Sequence, residues 1–200
     1  MLEPIVIHAT RNRRNRLIVL VSVVVFAAIL FIFMRRGANL VDNNQGYEPD
    51  QPIAFSHKVH AGDNAISCLY CHSSAEKGRH AGIPAASVCM NCHSNIKKES
   101  PEIRKITKAL DANEVIEWVR VHRLADFVYF SHEQHVAVGQ INCQTCHGAV
   151  EKMTRLSQDK NMTMGWCIEC HKNSDVVIHD TLKTKKVSEV GGTDCAKCHY

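Results

Sequence analysis

Beyond its first 36 residues this 200-residue chain has no excess of positive charge. The formal charge is +4, but residues 1–36 hold six Arg against one Glu, so the remainder carries about −1 by the same count. A chain whose larger part is not basic lacks the electrostatic footprint of a nucleic-acid binder, which speaks against that class of partner. No cysteine is left over either, because all ten fall into five pairs with two residues between the members. One long apolar run is present, Leu17–Met34, and it contains no His, Asp, Glu or Lys. It therefore offers no ligand for a cofactor inside a membrane and no proton relay of its own.

What is abundant is one motif. Each cysteine pair is followed at once by histidine: Cys68-Leu-Tyr-Cys71-His72, Cys89-Met-Asn-Cys92-His93, Cys143-Gln-Thr-Cys146-His147, Cys167-Ile-Glu-Cys170-His171 and Cys195-Ala-Lys-Cys198-His199. The pattern is that of covalent haem attachment, in which both sulfurs form thioethers to one porphyrin and the adjacent His ligates the iron. A zinc site would need two cysteine pairs, or one pair plus His at other spacings, and gives no reason for a His after every pair. The sequence thus predicts five haem c groups and no other metal. Covalent attachment suits a short chain, since thioethers hold a haem that the polypeptide only partly encloses. Two propionates per haem would make the loaded domain acidic.

Each iron needs a second axial ligand. Eight His remain, of which His8 precedes the apolar run, leaving His57, His60, His80, His122, His132, His135 and His179 for five positions. His57 and His60, like His132 and His135, stand three apart ahead of a motif, so one helical turn places both on one face where they can reach two neighbouring haems. These four are the expected outer ligands, with His122 as the fifth. His80 and His179 are the alternatives, and Met153, Met162 or Met164 would give one haem His/Met ligation.

The apolar run nearly spans a bilayer core as a helix. Arg11, Arg13, Arg14 and Arg16 precede it and Arg35 and Arg36 follow, and no small-residue cleavage site comes after it. This reads as an uncleaved signal anchor of the cytoplasmic membrane, N-terminus inside, which delivers the motifs to the outer face where haem c is attached. Residues 1–16 form the cytoplasmic terminus, 17–36 the anchor and 37–52 a linker rich in Gly, Asn, Asp and Pro. A repeat at an offset of 75 residues follows: Phe55-Ser56-His57-x-x-His60 precedes Cys68 as Phe130-Ser131-His132-x-x-His135 precedes Cys143. Ile66 matches Ile141, and Glu76-Lys77 matches Glu151-Lys152, as a duplication would produce. The first half, 53–98, carries motifs one and two, and the second, 129–200, carries three to five. Between them, 99–128 shows helix signals: Ser100 as N-cap, Pro101 at the first position, Glu102 in the first turn, then Ile103, Ile106 and Leu110 on one face, with a further turn expected over Val115–Val119. The expected fold is one transmembrane helix plus a small, mostly irregular and α-helical multihaem cytochrome c domain of the class III type, its core built of stacked haems, with little or no sheet.

With the stretches Arg79-His80-Ala-Gly-Ile-Pro84, Val121-His122-Arg-Leu-Ala-Asp-Phe127 and Met164-Gly-Trp-Cys167 added to these features, the chain resembles the membrane-anchored pentahaem cytochrome c subunit of bacterial alternative complex III over residues 17–200. Ala125 stands where the family pattern has Pro. The resemblance implies an electron-transfer subunit without catalytic residues in a quinol:electron-acceptor oxidoreductase. Its implied partners are an iron–sulfur protein, polytopic quinol-binding subunits and a monohaem cytochrome c, and it would pass electrons to that cytochrome or a soluble acceptor. One alternative is a single-anchor quinol dehydrogenase feeding a periplasmic reductase, which needs a haem with an open axial position near the membrane. Another is a multihaem nitrite or hydroxylamine enzyme, which needs an open iron among acidic, basic or cationic groups.

Overall fold

A computed structural model describes residues 3–37, 43–178 and 183–199 of the chain. They belong to two compact units, Met1–Val41 and Asp42–Tyr200. The first is α1 (Glu3–Gly37), a single 35-residue helix. Within it Asn12–Ile32 has a mean hydropathy of 2.6, and none of this stretch is buried. At about 1.5 Å per residue, 21 residues match a hydrocarbon core of about 30 Å. The helix is thus long and apolar enough to cross a membrane, and its apolar surface runs all round instead of forming a stripe for a protein core.

The second unit is built of short pieces: α2 (Cys68–Cys71), α3 (Ala86–His93), α4 (Pro101–Asp111), α5 (Cys143–His147), α6 (Met164–Asn173) and α7 (Cys195–Cys198). Every cysteine motif begins a helix or lies inside one. The reason is geometric, since a helical turn sets residues i and i+3 on one face and so aims both thiols of a pair in one direction. Ser67 caps α2 by accepting a hydrogen bond from the Leu69 N–H at 3.3 Å.

α4 forms where its start signals stand. Pro101 opens it, Glu102 accepts a bond from the Ala54 N–H at 2.7 Å, and Ile103 and Ile106 are buried beside Ile53. Leu110 falls outside that cluster and is exposed. The turn expected over Val115–Val119 does not form. Asn113 takes a left-handed φ of 53° just after α4, and Gln51 holds Val119 in extended backbone by donating to its carbonyl and accepting from its N–H, both at 2.9 Å. β-Branched Val115, Ile116 and Val119 favour that outcome. The one sheet among the described residues is the hairpin of β1 (Asp175–Ile178) and β2 (Lys183–Lys186), whose end pair Asp175 and Lys186 form a 2.8 Å ion pair.

Residues 43–52 contain neither helix nor strand, yet they are tied into the domain. Asn44 donates to the Val121 carbonyl at 3.0 Å, and Gly46 donates to Gln158 at 2.8 Å. Gln158 is fully buried with both side-chain ends bonded, accepting from Arg123 N–H and donating to the Lys160 carbonyl at 3.0 Å each.

The 75-residue repeat persists in three dimensions. Lys58–Asp63 and Gln134–Val138 are both π-helical turns, a rare form that favours functional sites. The first packs on Val150–Lys152, just after the third motif, and the second packs on Ser73–Glu76, just after the first. The bonds match as well: Lys58 N–H donates to Met153 at 2.8 Å, and Glu133 N–H donates to Gly78 at 3.0 Å. Each half therefore clasps the other through equivalent elements, an arrangement with approximate two-fold symmetry. Apolar burial is slight. Among the described residues only Ile53, Ala75, Ile103, Ile106 and Val121 are buried hydrophobics.

Candidate cofactor sites

The Phe of each Phe-Ser-His-x-x-His segment explains why the segment recurs. Phe55 stacks on His60 at 4.4 Å and meets His57 edge-on at 4.9 Å, while Phe130 stacks on His135 at 4.5 Å and meets His132 edge-on at 4.9 Å. The rings fix both imidazoles of the turn at once. The Ser carbonyls fix their tautomers: His60 donates Nδ1–H to Ser56 at 2.8 Å and His135 to Ser131 at 2.7 Å. A carbonyl can only accept, so the proton lies on Nδ1 and Nε2 keeps a free lone pair. That is the form in which imidazole binds a metal, with the second nitrogen anchored.

The same anchoring holds three of the five motif histidines. His72 donates from Nδ1 to Gly82 at 2.7 Å, His93 to Ile96 at 2.9 Å, and His171 to the Gly192 carbonyl. His132 donates to Arg79 at 2.7 Å across the two halves. His57 differs, with a buried Nδ1 that has no hydrogen-bond partner.

Imidazole–metal bonds are about 2.0 Å long, so two imidazoles on opposite sides of one ion hold their ring centres about 6 Å apart. Three pairs show that separation: His60 with His93 at 6.1 Å, His135 with His171 at 6.0 Å, and His132 with His147 at 6.4 Å with the rings nearly parallel. By the repeat, His57 stands to His72 as His132 stands to His147. Burial, before the neighbouring imidazoles, pushes His57 and His147 down to about 4 and lowers His135, so the rings are neutral and able to ligate at neutral pH.

His122, expected as the fifth outer ligand, lies against the third motif. Its Nε2 is 3.1 Å from His147 Nδ1, with ring centres 4.4 Å apart. Burial pushes it to about 4 as well. His199 has Phe127 as its ring neighbour at 5.5 Å. His80 is exposed, Met164 is 66% exposed at the start of α6, Met153 sits 4.0 Å from the Ser157 hydroxyl, Met162 is half-buried, and His179 lies outside the described residues.

All ten cysteines are unpaired. Burial pushes the thiols of Cys71, Cys89, Cys143, Cys146 and Cys167 up, so they are held neutral. Among the described residues no cluster of three or more His, Cys, Asp or Glu could hold a bare ion. Paired thiols on one helical face, a neutral His beside them and a second His about 6 Å away fit a metal carried in a large planar group better than an isolated ion. The scant apolar core fits too, because such groups would occupy the space between the short helices.

Comparison with known proteins agrees. The family described as outer membrane cytochrome MtrC/MtrF-like, domains II/IV, matches residues 63–200. The multihaem cytochrome c subunit of menaquinone reductase from Nitratidesulfovibrio vulgaris (strain Hildenborough) is 30% identical over 161 residues, covering 76% of this chain and 69% of the relative. The chain is a multihaem cytochrome c. Two features of this cytochrome were not legible in its sequence. The pairing of each outer His with a given motif requires the fold, and the Gly82, Ile96, Arg79 and Gly192 carbonyls carry no side-chain signal.

Proposed function

We propose that the cytochrome carries five haem c groups and serves as the electron-transfer subunit of a membrane quinone-linked oxidoreductase. The observation that carries this reading is the set of anchored His pairs about 6 Å apart, each with one member in a cysteine motif. Cys68, Cys71, Cys89, Cys92, Cys143, Cys146, Cys167, Cys170, Cys195 and Cys198 would form the thioethers, and His72, His93, His147, His171 and His199 the inner ligands. His57, His60, His132 and His135 would be the outer ligands of motifs one, two, three and four, and the outer ligand of motif five would come from His80, His179, Met153, Met162 or Met164. Each bound iron would take up and release one electron. The chain's part is to hold the imidazoles neutral, orient them through Nδ1 and close both axial positions, which excludes substrate chemistry there. His122 would accept the Nδ1–H of His147 and so set that ligand's orientation, since an Nε2 lone pair used as acceptor is not available to iron.

The relative's name places that protein in a menaquinone reductase, and the resemblance to the alternative complex III subunit also points to a quinone-linked assembly. On this reading the helix anchors the domain on the outer face of the cytoplasmic membrane. There it would receive electrons from an iron–sulfur protein beside polytopic quinol-binding subunits and pass them to a monohaem cytochrome c or other soluble acceptor. The test is isolation of the full chain from native membranes. Five irons per chain should survive acid-acetone extraction, the spectra should be low-spin with little cyanide or carbon monoxide binding, and the named partners should copurify. Extractable haem, or a high-spin haem that turns over a substrate, would defeat the proposal.

A further inference from the structure

Motif order in the sequence is not motif order in space. The first and second motifs touch directly, since Asn91 Nδ2, inside motif two, donates to the Tyr70 hydroxyl, inside motif one, at 3.0 Å. They also share one turn, because His60 pairs with His93 while its neighbour His57 and His72 are the equivalents of the pair His132 and His147 at the 75-residue offset. The first motif meets the third next. Ser73–Glu76, just after motif one, packs on the ligand turn ahead of motif three, and Val150–Lys152, just after motif three, packs on the ligand turn ahead of motif one, so equivalent elements meet across the approximate two-fold axis. Arg79, between motifs one and two, receives both the N–H and the Nδ1–H of His132, at 3.2 and 2.7 Å.

The third and fourth motifs repeat the relation of the first and second. His132 pairs with His147 and His135 with His171 from a single turn. The fourth then meets the fifth: His171 Nδ1 is held by Gly192, three residues ahead of Cys195, and α6 packs on the turn Val187–Val190 before it.

Resting on the five-haem reading, we infer that the attachment sites form one row in the order two, one, three, four, five, with the junction of sites one and three on the approximate two-fold axis. The duplicated halves join head to head, and the fifth site extends one end only. Sites two and five are therefore the ends at which a one-electron donor and a one-electron acceptor must dock. Each electron taken from the donor is delivered to the acceptor, and every iron between them returns to its starting oxidation state. A reading in which electrons follow motif number would send them from site two to site three past site one.

Anomalous diffraction of the full haem-loaded chain at the iron edge tests this without any activity. The expected result is five iron peaks in a single row, with the iron at Cys68 and Cys71 lying between the iron at Cys89 and Cys92 and the iron at Cys143 and Cys146. Five irons with those of motifs two and three as nearest neighbours would overturn the order and leave the proposed function standing. Fewer than five irons would remove the function reading and the order with it.

Discussion

At the scale of single residues, the structure separates histidines that the sequence could only count. His135 has its Nδ1 bonded to Ser131, a stacked Phe130 behind it and His171 6.0 Å away. His135→Ala should leave haem content near five, because the thioethers remain, and should turn the motif-four haem alone from low-spin to high-spin. Absorption and electron paramagnetic resonance spectra check this, and an unchanged five-haem low-spin signal would refute the ligand role. His122 makes the opposite case. Its place between Trp118 and Phe130 marks it as a candidate fifth ligand, but ligand distance depends on where the chain folds, and its Nε2 lies 3.1 Å from His147 Nδ1. His122→Phe should thus alter the signal and potential of the motif-three haem and keep all five irons six-coordinate. A newly high-spin haem at any motif would restore His122 as an outer ligand.

Element by element, legibility followed how local the cause is. α4 was readable because Pro101, Glu102 and the Ile103–Ile106 spacing act within one or two turns, although the Ser100 side chain at its N-cap makes no capping hydrogen bond. The motif helices were readable because thioether chemistry demands both sulfurs on one face. Val115–Val119 was not readable, because Gln51, 68 residues away, decides its backbone. The π-helical turns were half readable: the repeat announced two equivalent devices, but the clasp between halves came only with the fold. Gly62 shows how close that clasp is, since a Cβ there would lie 2.2 Å from the Glu151 carbonyl oxygen. That obstacle is backbone and cannot swing away. Gly62→Ala should destabilise the loaded protein by about 1–3 kcal/mol through overpacking. Denaturant titration followed by haem absorbance would show the shift, and an unchanged midpoint would mean that the halves do not approach as described.

For the whole molecule, the distribution of burial sets the relation between cofactor and fold. The unit from Asp42 to Tyr200 has the length of an ordinary domain, yet its described buried hydrophobics are three Ile, one Ala and one Val. Ordering a backbone of that length is opposed by conformational entropy that so few buried side chains cannot offset, and a domain of this size normally buries far more of its apolar surface. Haem faces packed between the short helices would supply the missing apolar area, and ten thioethers would shorten the loops of the unfolded chain as other cross-links do. Folding of this unit should therefore depend on haem attachment. α1 should be indifferent to it, because its hydrogen bonds are internal and its apolar surface needs only lipid or detergent. A chain with all ten cysteines replaced by Ser, purified in detergent, should keep the circular dichroism of α1 and lose cooperative thermal unfolding. Amides of residues 43–199 should exchange with deuterium at close to unfolded rates, while those of the 12–32 stretch stay protected. A sharp melting transition and protected amides around Ile103 and Ile106 in that haem-free chain would show that the polypeptide alone specifies the domain, and would sink the dependence argued here.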